Sequence, residues 1–360
     1  MSYGDYPELI NVKKILLVKL RHLGDVLLTG PVFSALKQAV PEAEVDAYIY
    51  QEALPMLEGH PDVDRLIGYD RNWKKEGFFS RLGKEFAVLR EIRKNGYDLV
   101  VNLTEGDRGV FAALASKAKV RVGFRPKGKW QQKSLTHLVK DCPSPRHTIE
   151  RNLDVLRRIG IFPPEESREL YFHVPEDARE KARSLVGAGP FVLIHPTSRW
   201  RFKCWPISKM RQLAERLLNE GKRVVLTSGP DPIETEMARE ISQGMEVLNL
   251  GGTISLKELG ALIELSQVLI CVDSVPFHLA SALKKPVVAL FGPTSDTTWG
   301  PWRNPHARIV SLQRSCRPCH LDGCGGSKRS DCLESLPLEA VLREYHLLDR
   351  SIIAECKCGI

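Results

Sequence analysis

An α/β protein of two doubly wound parallel sheets is what this 360-residue sequence predicts. Short apolar runs alternate with amphipathic segments, and that series occurs twice along the chain. A stretch rich in Gly and Pro separates the two series. Such alternation builds parallel sheets covered by helices, and 360 residues suffice for two cores of ordinary size.

In the first series the runs 15–20, 45–50, 99–103 and 120–124 are short and apolar, as strands buried on both faces are. Residues 25–38 carry a helical pattern ended by Pro41, and residues 79–94 carry another closed by Asn95-Gly96. Residues 60–65 read as a loop leading into a further short strand. A helix is expected over 146–159, with Ile149, Leu153, Leu156 and Ile159 on one face and Gly160 at its end. Regularity then breaks at Phe162-Pro163-Pro164 and again at Val186-Gly187-Ala188-Gly189-Pro190. The alternation restarts with strands at 191–195, 223–228, 246–250, 267–272 and 287–291. Helices at 207–219, 234–242, 256–265 and 277–283 lie between them, and a last helix covers 338–348. The expected organisation is a domain of residues 1–185, a second of residues 186–336 that includes a cysteine-rich segment, and a C-terminal helical segment 337–360 able to return to the N-terminal domain.

Hydrophobic residues at 43% and charged residues at 27% are a globular composition, which sets disorder aside. No apolar stretch approaches the ~18 residues of a membrane helix. The first eleven residues carry Asp5 and Glu8 and lack a signal-peptide pattern, so a cytoplasmic protein is expected. The 52 basic and 44 acidic residues leave a net charge of +8, which favours anionic partners. The basic residues are dispersed and nothing resembles a nucleic-acid motif. An anionic small substrate or a membrane surface is therefore expected, against the plainer alternative of a solvated basic surface.

Ligands of open parallel sheets bind beyond the carboxyl ends of the strands. Two stretches nearly 180 residues apart sit there: Lys19-Leu20-Arg21-His22-Leu23-Gly24-Asp25-Val26, and His195-Pro196-Thr197-Ser198 through Lys203. The first offers a carboxylate at a strand-to-helix turn, the second hydroxyls and cations. Thr227-Ser228-Gly229-Pro230-Asp231, Val272-Asp273-Ser274 and Phe291-Gly292-Pro293-Thr294 end strands of the same second series. A base in one domain and a phosphate grip in the other is the layout of a two-domain sugar-nucleotide transferase. The turn Leu23-Gly24-Asp25 lacks the Gly-x-Gly-x-x-Gly fingerprint, which argues against a nicotinamide or flavin site.

Lys19 through Asp25, His195 through Lys203, and Val272-Asp273-Ser274 followed by His278 resemble the ADP-heptose lipopolysaccharide heptosyltransferases, glycosyltransferase family 9. Trp299-Gly-Pro-Trp302 and Thr227-Ser-Gly-Pro-Asp231 look most like the branch that adds the third heptose of the inner core. The resemblance runs from about Lys14 to the final helix. It implies a GT-B fold, two facing Rossmann-like domains with the donor held mainly by the C-terminal one. It also implies an inverting transfer from ADP-L-glycero-β-D-manno-heptose to a heptose of the lipopolysaccharide inner core. No metal cofactor is expected in that chemistry, and the enzyme would work at the inner face of the inner membrane in peripheral contact with it.

For Asp25 two readings fit the spacing equally: a structural N-cap, or a carboxylate held ionised at a helix start. The resemblance favours a general base that takes the acceptor proton. Lys203 would compensate charge on the departing diphosphate, with Arg199 and Arg201 near enough in sequence to share the task, and Thr197 and Ser198 would donate to the same phosphates. Asp273 and Ser274 open a helix with Pro276 in its first turn, leaving backbone N–H groups for phosphate. Relatives carry glycine after this Asp-Ser/Thr pair, where the chain has Val275. His278 fits either phosphate binding or a packed core. Glu234, or Glu236 nearby, is the candidate for the ribose hydroxyls. Lys19, Arg21, His22 and Arg108 are the acceptor-side candidates, suited to phosphates and acidic sugars.

Cys316, Cys319, Cys324 and Cys332 crowd into 17 residues, and the Cys-x-x-Cys start suits structural zinc. Reduced thiols, an iron–sulfur cluster and a redox disulfide stay open beside it. The competing functional classes are an enzyme using another nucleotide sugar, an epimerase on one, and a non-catalytic nucleotide- or metal-binding protein.

Overall fold

The structure, a computed structural model, describes residues 6–358, with side chains through residue 352. Asp5, and the side chains of Cys356 and Cys358, lie outside what is described. The chain divides into two compact units between His173 and Val174.

The first unit holds strands β1 (Lys14–Lys19), β2 (Glu44–Tyr50), β3 (Arg65–Tyr69), β4 (Leu99–Asn102), β5 (Val120–Phe124) and β6 (His137–Val139). Its helices are α1 (Leu23–Leu27), α2 (Gly30–Ala39), α3 (Phe78–Asn95), α4 (Asp107–Ser116), the single turn α5 (Lys129–Gln132) and α6 (Thr148–Arg157). The strands are parallel in the order β3-β2-β1-β4-β5-β6, the dinucleotide-fold order. On one face Leu16, Val18, Tyr48 and Val100 of the strands pack with Val88 and Ile92 of α3 and with Ala112 and Ala113 of α4. Gly96 ends α3 in the left-handed conformation (φ 68°), which suits glycine at a helix terminus.

The single helix expected over 25–38 is two. Pro31 lacks an N–H and its ring would clash with the carbonyl of residue 27, so the chain breaks at Leu28-Thr29 and α2 restarts with Pro31 in its first turn. The sequence reading also missed α4 and β6.

The second unit repeats the architecture. Its strands are β7 (Val192–His195), β8 (Val224–Leu226), β9 (Leu248–Asn249), β10 (Val268–Val272), β11 (Val287–Leu290) and β12 (Ala307–Val310). Its helices are α7 (Glu176–Val186), α8 (Ile207–Asn219), α9 (Pro232–Ser242), α10 (Leu256–Leu265), α11 (Val275–Ala282), the short α12 (Asp296–Trp299) and α13 (Asp331–Glu334), and α14 (Leu338–Cys358). The parallel order β12-β11-β10-β7-β8-β9 is the first sheet's order read from its other end. Fully buried Trp205 donates its indole N–H to the Leu336 carbonyl at 3.2 Å, tying the loop before α8 to the start of α14.

Two organisational expectations need correction. The division falls about a dozen residues before the expected 185/186, because α7 belongs to the second unit: Arg179 pairs with Glu264 at 2.7 Å and Lys181 with Glu258 at 2.7 Å, both on α10. The C-terminal segment also belongs to the second unit, where Val341, Leu342, Tyr345 and Leu348 of α14 are part of the core. Among the described residues no helix is long and apolar enough to cross a membrane.

Candidate active site

In both sheets the order reverses beside the first strand, between β1 and β4 and between β7 and β10. Loops leaving adjacent strands there run in opposite directions and open a crevice. The candidate residues sort onto these two places, one in each unit.

In the first unit the loops after β1 and β4 are joined by hydrogen bonds. The Leu20 N–H donates to Thr104 Oγ1 at 2.6 Å, and that hydroxyl reaches the Val18 carbonyl at 3.3 Å. Asp25 stands at the third position of α1, half-buried. The N-cap is His22, and the Asp25 carboxylate accepts no hydrogen bond among the described residues, so the capping alternative for Asp25 is not what the fold uses. Lys19 ends β1 only 5% exposed. Burial pushes its ammonium down to about 8, opposed by the negative charge of Asp25. Arg21 pairs with Glu105 at 2.7 Å at the surface. Arg151 of α6, which no spacing singled out, bridges Glu105 at 3.3 Å and Asp141 at 3.0 Å and lies over the Phe124 ring at 4.3 Å. Arg108 is set apart from this group: it bonds Glu85 of α3 at 3.4 Å and stacks over Tyr69 at 4.7 Å, so it ties α4 to α3.

In the second unit Lys203 and Asp273 meet across the switch point. The Lys203 ammonium donates to Asp273 Oδ2 at 2.7 Å, and Thr294 Oγ1 donates to the same oxygen at 2.6 Å. Lys203 is thus a cation aimed by a buried carboxylate, and Thr294 is a site residue the sequence reading left unassigned. Its signal was position alone, in a loop that ends β11 beside β10. Arg201 and Arg199 are exposed, and Arg199 lies over the Trp200 ring at 5.6 Å.

Thr197 is fully buried and donates its hydroxyl to Glu234 Oε2 at 2.7 Å. Where a phosphate was the expected partner, the hydroxyl here meets Glu234 and orients it. The Gly229 N–H donates to the same Oε2 at 3.3 Å, and a Cβ on Gly229 would sit 2.8 Å from it, so glycine lets the carboxylate fold back. Glu236 is exposed and pairs with Arg239 on its own helix, leaving Glu234 as the residue at this end of the sheet. His195, pushed down to about 4 by burial, contacts Thr227 Oγ1 through Nδ1 at 3.0 Å.

Ser198 accepts from the Trp200 N–H at 3.3 Å. Ser274 precedes α11 and donates to the Val272 carbonyl at 3.2 Å, without capping the helix. Pro276 removes one donor from the first turn of α11. His278 is buried between Phe277 and Trp299, with ring centroids at 5.3 and 6.4 Å, the packed arrangement rather than an open one.

The cysteine segment docks on the loop after β11. Cys319 and His320 donate their N–H groups to the Pro293 carbonyl, and Arg317 Nε donates to the Gly292 carbonyl at 2.8 Å. Among the described residues no three His, Cys, Asp or Glu side chains are placed to hold a metal ion. Cys332 turns inward beside Leu333 of the core, close enough to Cys324 and Cys319 for their charges to act on it, while Cys316 and Cys324 are exposed.

With the geometry in hand, comparisons locate the chain among known proteins. Residues 86–328 match the model of glycosyltransferase family 9 (heptosyltransferase). Lipopolysaccharide heptosyltransferase 3 of Escherichia coli K12 is 36% identical over 294 residues, 79% of this chain and 83% of its own. A glycosyltransferase of family 9 from Veillonella parvula superposes with a TM-score of 0.81 at 24% identity, covering 94% of this chain and 98% of that one. An E. coli heptosyltransferase, WaaC, solved with ADP, gives a TM-score of 0.74 at 21% identity over 93% of this chain and 99% of that one.

Proposed function

Since this chain belongs to glycosyltransferase family 9, the heptosyltransferases, we propose that it moves L-glycero-D-manno-heptose from ADP-heptose to a heptose of the lipopolysaccharide inner core with inversion at the anomeric carbon. The alternatives of an epimerase and of a non-catalytic binding protein fall with that membership. The observation that carries the mechanism is the Lys203–Asp273 pair, a half-buried cation held by a buried carboxylate at the switch point of the second sheet.

In the proposed reaction the acceptor hydroxyl attacks the anomeric carbon from the face opposite ADP. The new C–O bond forms as the bond to the β-phosphate oxygen breaks, and the electron pair leaves with ADP. Asp25 receives the hydroxyl proton, a role open to a half-buried carboxylate with no competing donor. Lys203 meets the charge growing on the diphosphate. Asp273 and Thr294 fix its position, so the stabilisation needs no rearrangement as the bond breaks. Glu234 keeps its second oxygen for the ribose hydroxyls while Thr197 and Gly229 hold the first. The first turn of α11 adds backbone donors for phosphate. The chemistry draws only on protein groups. On the acceptor side Lys19 and Arg21 suit the anionic inner core. Because that acceptor is lipid-linked, we place the enzyme at the cytoplasmic face of the inner membrane.

Isothermal titration with ADP, UDP and GDP without added metal tests the donor half. Micromolar binding restricted to ADP is expected, and preference for UDP or GDP overturns the heptose assignment.

A further inference from the structure

Most of the exposed large apolar side chains of the first unit gather on α3, α4 and α5. On α3, Phe78 is 70% exposed, Phe79 85% and Phe86 61%, with Leu82 between them. At 100° per residue these four fall within about a 100° arc of the helix. The arc lies beside the stripe of Val88 and Ile92 that faces the core, so the apolar face of α3 is wider than its contact with the sheet. Helix α4 packs beside α3 and exposes Phe111, whose ring stands 6.1 Å from that of exposed Trp130 on α5. A soluble protein gains nothing by exposing a cluster of this kind, and clusters of this kind mark partner or membrane contacts.

Position and charge select the partner. Phe78 and Phe79 open the helix that follows β3, Phe111 lies in the early turns of the helix that follows β4, and Trp130 follows β5. All three positions are at the carboxyl edge of the first sheet, the edge that also carries Lys19 and Asp25. Close in sequence to the aromatics are Lys74, Lys75, Lys127, Lys129 and Lys133. All five are exposed and without an ion pair among the described residues. The acidic groups Glu76 and Glu85 of α3 and its approach are matched, by Lys84 at 2.6 Å and Arg81 at 3.2 Å, and Asp107 at the start of α4, which accepts from Gln131 Nε2 on α5, is outnumbered by the lysines. The net field of the patch is therefore positive. Phenylalanine and tryptophan over unpaired lysines are the composition of an interfacial membrane contact, where rings enter the headgroup region and lysines meet anionic lipid.

We propose that this face of α3, α4 and α5 is a docking surface for an anionic phospholipid bilayer, and that it brings the acceptor edge of the first unit to the plane in which a lipid-linked acceptor lies. The proposal rests on the reading of the acceptor as lipid-linked. It adds the surface that meets the membrane.

Co-flotation with vesicles tests it without any need for activity. The full chain is expected to float with vesicles of phosphatidylcholine containing 30% phosphatidylglycerol, but not with phosphatidylcholine alone, and to be released by salt. The double variant Phe78→Ser/Phe79→Ser is expected to bind the anionic vesicles about tenfold more weakly or worse, as loss of two buried rings requires. Its melting temperature and ADP affinity should stay unchanged, since both side chains are in solvent. Lys127→Glu/Lys129→Glu should weaken vesicle binding without touching the aromatics. Vesicle binding equal to wild type in both variants overturns the proposal. So does a wild type that ignores anionic vesicles and self-associates in sedimentation through these same residues. Either result leaves ADP titration intact as the separate test of the transferase reading.

Discussion

Lys203 and Asp273 sit 18% and 4% exposed at 2.7 Å, so each depends on the other. Removing the cation leaves a buried carboxylate with one hydroxyl donor, Thr294. Lys203→Ala is therefore expected to weaken ADP binding about ten- to a hundredfold and to lower stability by about 3 kcal/mol. The pair Lys203→Met with Asp273→Asn should recover the stability without the affinity. Calorimetry and ADP titration on the two proteins separate these effects. An unchanged ADP affinity in Lys203→Ala would remove the lysine from the donor site. Lys19 makes the opposite case, a buried ammonium that the fold penalises. Between about pH 8 and the ordinary lysine range the unfolded chain holds a proton that the folded chain lacks, so stability attributable to Lys19 rises with pH there. Lys19→Met should be more stable than wild type at pH 7, and the difference should shrink as pH climbs past 8. Denaturant unfolding of both proteins across pH 7–10 checks the sign, and a constant difference contradicts it.

At the scale of elements, β7 ends in a histidine that the fold keeps neutral. Burial holds His195 near 4, so below its ordinary range the unfolded chain takes up a proton that the folded chain refuses. Stability is then full above about pH 6.5 and falls as the pH drops toward 4. His195→Gln should flatten that fall in a melting series over pH 4–7, and an unchanged slope would rule His195 out as its source. The strands themselves were legible in the sequence because a parallel strand buried on both faces is a short apolar run, and β5, α8 and α10 have the expected bounds. Helix α7 was not legible. Its buried stripe is Ala178, Ala182 and Val186, too small to stand out from Glu, Asp, Arg and Lys. Helix α4 was missed for a related reason, since Phe111 and Leu114 are exposed and Ala112 and Ala113 face the core, which blurs the period. That Asp25, Lys203, Asp273 and Glu234 stand in loops and helix starts beyond strand ends was readable in the sequence; their roles are those of the proposed reading. Thr294, Arg151 and the turning of Thr197 toward Glu234 were not readable, because each depends on which strands become neighbours.

For the molecule as a whole, two sheets of the same strand order present two switch points, and each carries groups suited to one substrate. In the proposed reading the second unit supplies Lys203 and Glu234 to the donor, and the first supplies Asp25, Lys19 and Arg21 to the acceptor, beside the basic, aromatic face of α3 to α5. Division of donor and acceptor between units predicts that their failures separate: substitutions at Lys203 or Glu234 alter ADP binding, whereas substitutions at Asp25 do not. The most direct test of the account is acceptor-dependent release of ADP from ADP-heptose by wild type and Asp25→Asn, with ADP affinity measured on the same preparations. The account predicts that Asp25→Asn binds ADP as wild type does and melts at the same temperature, while its turnover falls by about 10²–10⁴. Turnover near the wild-type rate in Asp25→Asn would contradict it.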